Sequence, residues 1–185
     1  IQAVRALTSK PFGVDLLLPA TLAPAATTRS GVRQELQDKH AGHVAFYEKL
    51  LERFELAPAP VQDDIVISSE FIEAQIAVTL EEHVPVFAAG LGDPARITGR
   101  AKAQGMITLG LAGSPRNAQR QAAAGVDAVV AQGTEAGGHT GKIANFPLIP
   151  QVVDAVSPVP VIAAGGISDG RGIAAALALG ADGVW

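Results

Sequence analysis

Short apolar runs recur along the chain, and glycine, proline or polar residues bound each of them. Runs of this length without a polar break are typical of strands that are buried on both faces of a parallel sheet. A weaker candidate, Val61 to Ile67, is assigned to no element. The runs predict six strands: Phe12 to Leu18, Pro85 to Ala89, Met106 to Leu109, Ala128 to Ala131, Val159 to Ala164 and Gly183 to Trp185.

Helical stretches separate the later runs. Residues that commonly cap a helix N-terminus open three of these stretches, and a glycine closes each one. They run from Asp93 to Gly105, from Ser114 to Gly125 and from Asp169 to Gly180. Apolar residues spaced three or four apart predict further helices around Tyr47 to Phe54, Ile72 to Leu80 and Leu148 to Val156. A helix followed by a strand, repeated with short links, is characteristic of a parallel α/β fold.

These repeated units fit either an open doubly wound sheet or most of an eight-stranded barrel. The glycine-rich segments come late in the chain and do not follow the dinucleotide-binding pattern of a doubly wound sheet, so we expect a TIM (β/α)8 barrel. A barrel usually needs about 250 residues, and the sequence stops within an apolar stretch at Trp185. We therefore expect a fragment that lacks the first two strands and the end of the last.

We expect residues 1–185 to form a single partial barrel domain with one insertion. The inserted segment of loop and helix lies at about residues 21–60. Its first part, Thr21 to Ser30, is rich in alanine, threonine and proline and is predicted as a loop.

The composition narrows the classes of function. The 185 residues are 48% hydrophobic and 17% charged, which is the profile of a compact protein with a buried core. A net charge of −4 without a cluster of lysine and arginine argues against a nucleic-acid partner. No apolar run approaches the ~20 residues of a membrane span, so we expect no membrane partner. The absence of cysteine excludes disulfides and thiolate metal sites, and it fits a cytoplasmic protein.

The predicted strand Ala128 to Ala131 runs into a loop, Gln132 to Gly141, that contains four glycines in ten residues. Glycines remove side chains from a backbone segment that must approach another group closely. The loop also contains His139, and an imidazole can exchange protons near neutral pH. This combination predicts a ligand that lies on peptide groups, with a proton-transfer residue beside it.

A second glycine segment follows the strand Val159 to Ala164. Gly165 and Gly166 come just before a helix that is predicted to start near Gly170. Bare backbone N–H groups beside the positive end of a helix dipole favour an anion, and TIM barrels commonly bind phosphate in the loops after strands seven and eight. The alternative is that both glycines only form a tight turn. Together with the first loop, phosphate binding is the favoured interpretation.

The two glycine segments, Gln132 to Gly141 and Pro160 to Gly170, together resemble the nitronate monooxygenase family, formerly called 2-nitropropane dioxygenases. They also resemble its close relative, the FMN-dependent enoyl-acyl-carrier-protein reductase. The resemblance implies a TIM barrel that binds FMN at its C-terminal face, with His139 beside the flavin to bind the substrate or take its proton. It implies these cofactor-binding residues: Asp15, Gln132, Gly133, Gly137, Gly138, Gly165, Gly166 and Ile167.

Within this set, the resemblance implies that Gln132 and Gly137 line the flavin and that Gly165 and Gly166 hold its phosphate. Asp15 departs from the family pattern, because it matches a flavin-contacting position that is usually asparagine. A carboxylate cannot donate the hydrogen bond that an amide donates.

The activity that the resemblance implies is FMN-dependent oxidation of alkyl nitronates, or of nitroalkanes, by O2 to a carbonyl compound and nitrite. The partners are then a small-molecule nitronate and O2, without a metal. One alternative is an FMN-dependent enoyl reductase that uses NAD(P)H; the insertion Thr21 to Pro60 favours the nitronate enzyme over it. The other alternative is a non-catalytic barrel remnant, which Asp15 and the expected missing ends support.

Overall fold

The structure, a computed structural model, describes residues 1–19, 28–58 and 68–185. The chain forms two compact units, one made of Ile1–Ala20 with Gln75–Trp185 and the other of Thr21–Ala74. The first unit contains the sheet that is described below. The single domain with an insertion at about residues 21–60 stays a prediction.

Six strands form one parallel sheet, and they lie side by side in the order of the sequence. They are β1 (Gly13–Leu18), β2 (Val86–Gly92), β3 (Ile107–Ala112), β4 (Ala128–Gln132), β5 (Val161–Ala164) and β6 (Gly183–Val184). This sequential order is the connectivity of a (β/α)8 barrel, whereas a doubly wound sheet reverses its order part-way. The predicted parallel α/β fold and its six strands are confirmed.

Both β2 and β3 extend beyond the glycine at which the sequence pattern ended them. Gly90 and Gly110 stay in the sheet because a neighbouring side chain occupies the space of the missing Cβ. A Cβ on Gly90 would lie 3.1 Å from Oδ1 of Asp15, and one on Gly110 would lie 2.4 Å from Oε1 of Gln121. These glycines therefore mark close packing within a strand rather than its end.

The described residues form eight helices. They are α1 (Gln2–Leu7), α2 (Arg29–Lys39), α3 (Ala41–Arg53), α4 (Ser69–Glu81), α5 (Ala95–Lys102), α6 (Pro115–Ala123), α7 (Asn145–Val156) and α8 (Gly170–Ala178). The sequence pattern predicted neither α1 nor α2. Helix α1 has only six residues, and α2 contains only two large apolar residues, Val32 and Leu36, so neither shows an apolar stripe in the sequence.

The start of α2 corrects one prediction. Because α2 begins at Arg29, the loop predicted over Thr21 to Ser30 is wrong for its last two residues. Thr28 caps this helix, since its Oγ1 accepts a hydrogen bond of 3.0 Å from the backbone N–H of Gly31. The earlier part of that loop and the candidate strand Val61 to Ile67 lie outside the described residues.

The helix ends in the first unit follow the predicted chemistry. Ser114 Oγ accepts from the backbone N–H of Asn117 at 3.2 Å and caps α6. Gly125 and Gly180 follow α6 and α8 with φ of +82° and +98°, the left-handed conformation that ends helices at glycine. Helix α5 begins later than predicted, at Ala95 rather than directly after Asp93.

Two aspartates fix the strands from their N-terminal side. Oδ2 of Asp127, just before β4, accepts from the backbone N–H of Thr108 at 2.8 Å. Oδ2 of Asp182, just before β6, accepts from the backbone N–H of Val161 at the same distance. Burial raises the pKa of Asp127, but hydrogen bonds from Lys102 and Thr108 outweigh it and hold that pKa below its usual value.

The core of the first unit lies between the sheet and its helices. Val129 of β4 packs with Leu148 and Val152 of α7, and all three are fully buried. This packing fixes α7 against β4 and β5, so the loops that leave the C-terminal ends of these two strands start from a rigid base. In parallel sheets such loops meet at one edge, which is where ligands bind.

Candidate active site

Two pockets open at the C-terminal ends of the strands, and both include Gln132 at the end of β4. The first has a volume of about 370 Å³ and the second of about 520 Å³. Leu111 of β3 is the other residue that they share. The two cavities therefore adjoin each other along the ends of β3 and β4.

The first pocket brings together most of the cofactor-binding residues that the sequence predicts. Its lining comes from β1, from the ends of β4 and β5, and from the loops that follow these two strands. The predicted residues that line it are Asp15, Gln132, Gly137, Gly165, Gly166 and Ile167.

The glycine pair after β5 is required by close packing against the loop after β4. Gly165 and Gly166 have φ of +103° and +68°, which residues with a Cβ rarely adopt. A Cβ on Gly165 would lie 2.8 Å from the backbone nitrogen of Ala136, and one on Gly166 would lie 2.9 Å from Cβ of Glu135. The two loops therefore form one wall of the first pocket.

Asn145, the first residue of α7, joins these two loops. Its Oδ1 accepts from the backbone N–H of Gly133 at 2.9 Å, and its Nδ2 donates to the carbonyl oxygen of Gly165. Its own backbone N–H donates to the Glu135 carboxylate, at 3.0 Å to the nearer oxygen. A Cβ on Gly133 would lie 2.3 Å from Asn145 Oδ1, so Gly133 serves this contact and does not line the pocket.

The pocket offers unbonded backbone donors at the glycine pair. The backbone N–H groups of Gly166 and Ile167 have no hydrogen-bond partner among the described residues. Backbone donors that lack a partner fit an anion such as phosphate, and at Gly166 no Cβ shields the donor. This geometry fits the phosphate group that the sequence analysis expects.

The N-terminus of α8 contributes less to such an anion than the sequence suggested. Asp169 caps this helix, because its Oδ1 accepts from the backbone N–H groups of Arg171 at 2.9 Å and Gly172 at 3.3 Å. Hydrogen bonds from Arg171, and then from Gly172, hold the pKa of Asp169 below its usual value. The carboxylate already occupies two of the first-turn donors, so the unbonded donors of Gly166 and Ile167 are the main ones left for an anion.

Asp15 reaches the first pocket from β1. Its Oδ1 accepts from the backbone N–H of Gly90 at 2.9 Å. Burial raises the pKa of the Asp15 carboxyl, and the hydrogen bond from Gly90 opposes this shift only in part. The protonated form, which can donate a hydrogen bond, is therefore favoured relative to an aspartate in water.

His139 lines the second pocket and not the first. Gln132 lies between it and the glycine pair, since it lines both cavities. Gly138 lines neither cavity; it is exposed with φ of +74°, and a Cβ there would meet nothing within 4 Å. Gly138 thus supports the turn that leads to His139 rather than a contact in the first pocket.

Neither a membrane-spanning helix nor a cluster of metal-binding side chains is found among the described residues. They contain no helix that is both long and apolar enough to cross a membrane. They also contain no group of three or more histidine, cysteine, aspartate or glutamate side chains that is arranged to hold a metal ion.

Comparison with known proteins identifies the family. The family profile described as "Nitronate monooxygenase" matches residues 1–185. The chain belongs to the nitronate monooxygenase family. It is 44% identical over 184 residues to "Putative monooxygenase Rv1533" of Mycobacterium tuberculosis, an alignment that covers 95% of this chain and 49% of that protein.

Two solved structures resemble this member of the nitronate monooxygenase family. The nitroalkane oxidase from Streptomyces ansochromogenes has a TM-score of 0.71 at 34% identity, over 99% of this chain and 51% of its own. FabK from Thermotoga maritima has a TM-score of 0.69 at 32% identity, over 99% of this chain and 43% of its own. The chain thus spans about half the length of the curated relatives it matches.

Sequence reasoning missed two residues that shape the site of this family member. Asn145 has the residue type of a helix cap, and that signal could have placed it at the start of α7. Gln121 of α6 is a polar residue that is only 5% exposed, and its amide lies against Gly110. The sequence does not predict that Gln121 is buried, because a glutamine at this position of α6 is expected on the exposed polar face of an amphipathic helix.

Proposed function

We propose that the protein containing this chain catalyses the FMN-dependent oxidation of alkyl nitronates by O2 to a carbonyl compound and nitrite. The observation that best supports this proposal is the first pocket, with unbonded backbone donors at Gly166 and Ile167 and His139 in the adjoining cavity. Membership of the nitronate monooxygenase family and the likeness to a nitroalkane oxidase support the same chemistry.

In this proposal the glycine pair holds the FMN phosphate, and residues of the loop after β4 lie along the flavin ring. Gly165, Gly166 and Ile167 provide the phosphate contacts, while Gln132 and Gly137 face the ring. Bound FMN supplies the electron acceptor that oxidation at carbon needs and that side chains cannot provide. FMN carries one phosphate, whereas FAD carries two. We propose FMN because the glycine pair gives one place at which unbonded backbone donors meet the first pocket.

Asp15 takes the place of the family's asparagine at the flavin. An ionised carboxylate is an acceptor only, but a protonated carboxyl can donate as an amide does. The contact proposed here is one in which the protonated carboxyl of Asp15 donates to the flavin, and the pKa of Asp15 is shifted upwards, in the direction of that form.

His139 acts on the substrate. A nitronate already has carbanion character, so His139 orients its nitro oxygens; if the neutral nitroalkane binds, the imidazole takes the α-proton. Gln132 lines both pockets and would therefore contact both the flavin and a substrate in the second.

The test is oxygen uptake by the FMN-loaded protein with propionate 3-nitronate or 2-nitropropane, in the absence of NAD(P)H. The variant His139→Gln is expected to lower the rate with 2-nitropropane by roughly 10²- to 10⁴-fold, the usual contribution of a positioned acid–base group. With propionate 3-nitronate, which has no proton to lose, the expected loss is that of one hydrogen bond, roughly tenfold. The FMN content is expected to be unchanged. The control is His83→Gln, because His83 lies outside both pockets. Equal rates for His139→Gln and wild type would contradict the proposed role.

The likeness to FabK favours a second candidate, the FMN-dependent enoyl reductase. In that case NADH is oxidised in the presence of an enoyl thioester, and nitronates cause no oxygen uptake. A protein that is purified without colour and cannot be reconstituted with FMN would instead support a non-catalytic barrel remnant.

A further inference from the structure

Among the described residues that line the first pocket, Trp185 is the one aromatic residue. It directly follows β6, and its backbone N–H donates to the carbonyl oxygen of Ala163 in β5 at 2.8 Å. The hydrogen bonds between β5 and β6 therefore continue through Trp185 and fix the position of its backbone. The direction of its side chain then follows from the alternation of side chains along a strand.

This alternation directs the indole into the first pocket. Val184 lies on the face of the sheet that the helices cover, where it packs against the cluster that contains Ile149 of α7. Trp185 is the next residue, so its side chain points to the opposite face. Two neighbouring residues of β5 divide in the same way, since Ala163 belongs to the helix-side cluster and Ala164 lines the first pocket.

The first pocket lies against the inner face of a curled sheet. Strands β1 and β6 are the two edges of this sheet, and in a flat sheet five strand spacings would separate them by about 24 Å. Asp15 of β1 and Trp185 nevertheless line the same cavity. Leu111 of β3 and Val130 of β4 add apolar side chains to it. The inner face thus forms a mainly apolar floor, and Trp185 is its largest side chain.

The floor and the glycine pair together match a ligand that has both a flat ring and a phosphate. Trp185 follows β6, which pairs with β5, and Gly165 and Gly166 follow β5. An aromatic surface and the unbonded backbone donors therefore lie on neighbouring strands of one pocket. Aromatic side chains stack on flat ring systems, or meet them edge to face. The isoalloxazine of FMN is such a ring system, and FMN also carries one phosphate.

The position of Trp185 relates it to the cofactor rather than to the substrate. The second pocket is lined by residues that follow β2 and β3, by residues of α6 and by the end of the loop after β4, and it does not include Trp185. The two pockets adjoin at Leu111 and Gln132, on β3 and β4. Trp185 is therefore available to a ligand in the first pocket.

We infer that Trp185 is a flavin-binding residue whose indole packs against the isoalloxazine ring of FMN. This inference rests on the FMN site of the proposed function and is independent of the nitronate chemistry. An indole in contact with a flavin quenches the fluorescence of that flavin, because the excited ring takes an electron from the indole and returns it without emitting light. Phenylalanine keeps an aromatic face but does not quench in this way.

The test is a titration of the FMN-free protein with FMN, in wild type, Trp185→Phe and Trp185→Leu. Free flavin is then removed, and the emission per bound flavin is compared. Trp185→Leu is expected to weaken FMN binding roughly tenfold, the upper range of the contribution of an aromatic pair. Trp185→Phe is expected to bind FMN within about threefold of wild type. In both variants the bound flavin is expected to be brighter than in wild type.

Phe146→Leu is the matched control. Phe146 is an aromatic residue of the same compact unit that is 73% exposed and lies outside both pockets. Its replacement is expected to change neither the affinity for FMN nor the emission of bound flavin. Both substitutions of Trp185 keep the backbone bond to Ala163, since that bond does not involve the side chain.

Any of four results overturns the inference. Wild type does not bind FMN; bound flavin is as bright in wild type as in Trp185→Leu; Trp185→Leu binds FMN as tightly as wild type; or Phe146→Leu has the same effects as Trp185→Leu. Failure of the proposed function gives a different result. If bound flavin is dark in wild type and bright in both Trp185 variants, but no nitronate is oxidised, the flavin contact stands and the nitronate chemistry is wrong.

Discussion

Asn145 is expected to hold the wall of the first pocket together, and its side chain can be removed without disturbing the helix that it begins. Replacement by alanine deletes the hydrogen bond from the backbone N–H of Gly133 and the one to the carbonyl oxygen of Gly165. The backbone bond to Glu135 remains, because it does not depend on the side chain.

The magnitude follows from the groups that lose a partner. A net protein hydrogen bond contributes about 1 kcal/mol, and a buried group left without a partner costs about 1–3 kcal/mol. Both bonds of the Asn145 side chain are partly buried. The backbone N–H of Gly133 keeps its bond of 3.2 Å to the carbonyl oxygen of Ala164, so the carbonyl oxygen of Gly165 is the group that loses its partner. We therefore expect Asn145→Ala to lower the free energy of unfolding by about 1–3 kcal/mol. Because Gly165 borders the proposed phosphate site, the affinity for FMN is expected to fall at least tenfold.

A second variant separates shape from hydrogen bonding. Asn145→Asp keeps an acceptor for Gly133 but places an oxygen against the carbonyl oxygen of Gly165, so two acceptors face each other. This variant is expected to lose FMN affinity although its volume is almost unchanged.

Urea denaturation measures the stability of these variants, and a titration with FMN followed by flavin fluorescence measures the affinity. Gln151→Ala is the matched control, because Gln151 lies on the same helix and its single side-chain bond, to the carbonyl oxygen of Pro147, is exposed. The control is expected to change stability by less than about 0.5 kcal/mol. If Asn145→Ala behaves like this control in both measurements, the account of the pocket wall is wrong.

Three further predictions concern the glycine pair and the two shifted carboxyls. Gly166→Ala introduces a Cβ at φ of +68°. It is expected to destabilise the fold by about 1–2 kcal/mol in urea denaturation and to abolish FMN binding. The control Gly170→Ala is expected to do neither, because a Cβ there meets nothing within 4 Å. The folded-state pKa of Asp15 lies above its usual value, so the contribution of Asp15 to stability is present at low pH and is lost as the pH rises. Asp15→Asn should therefore be more stable than wild type at about pH 7 but not at about pH 4. An equal difference in the free energy of unfolding at both pH values would refute this. Asp127 has a lowered pKa, and its carboxylate accepts from both the backbone N–H and the hydroxyl of Thr108 and pairs with Lys102. Asp127→Ala should therefore cost about 1–3 kcal/mol near neutral pH in urea denaturation, and this difference should shrink as the pH falls through the folded-state pKa of Asp127.

The strands and most helices of the first unit could be predicted because their signals are local. A buried run such as Ala128 to Ala131 and a capping residue such as Ser114 each act over a few residues of sequence. The helices α1 and α2 escaped prediction because α1 has only six residues and α2 has only two large apolar residues. Periodicity reveals a helix only where apolar residues recur often enough along one face.

The candidate site was predictable at its glycines and less so at the residues that support them. Gly165 and Gly166 stand out in the sequence because they are adjacent and follow an apolar run. Glycine is needed at these two positions because of a tertiary contact: Gly165 packs against Ala136 and Gly166 against Glu135, both in the loop after β4. Asn145 joins the same loops from ten or more residues away in sequence, and a single sequence contains no signal of such a partnership.

The loop sequence contains both Gln132 and His139, and it does not predict that His139 lines a different cavity from the glycine pair. Six residues separate Gln132 and His139 in the sequence, and the strand that ends at Gln132 places its side chain where both cavities meet. The loop passes Gly137, which lines the first pocket, and turns at Gly138, which has φ of +74°, before it places His139 in the second pocket. A cofactor in the first pocket and a substrate in the second would therefore touch the same amide. For this reason we expect the affinity for each ligand to depend on occupancy by the other, and Gln132→Ala is expected to weaken this dependence in a titration of one ligand at several fixed concentrations of the other.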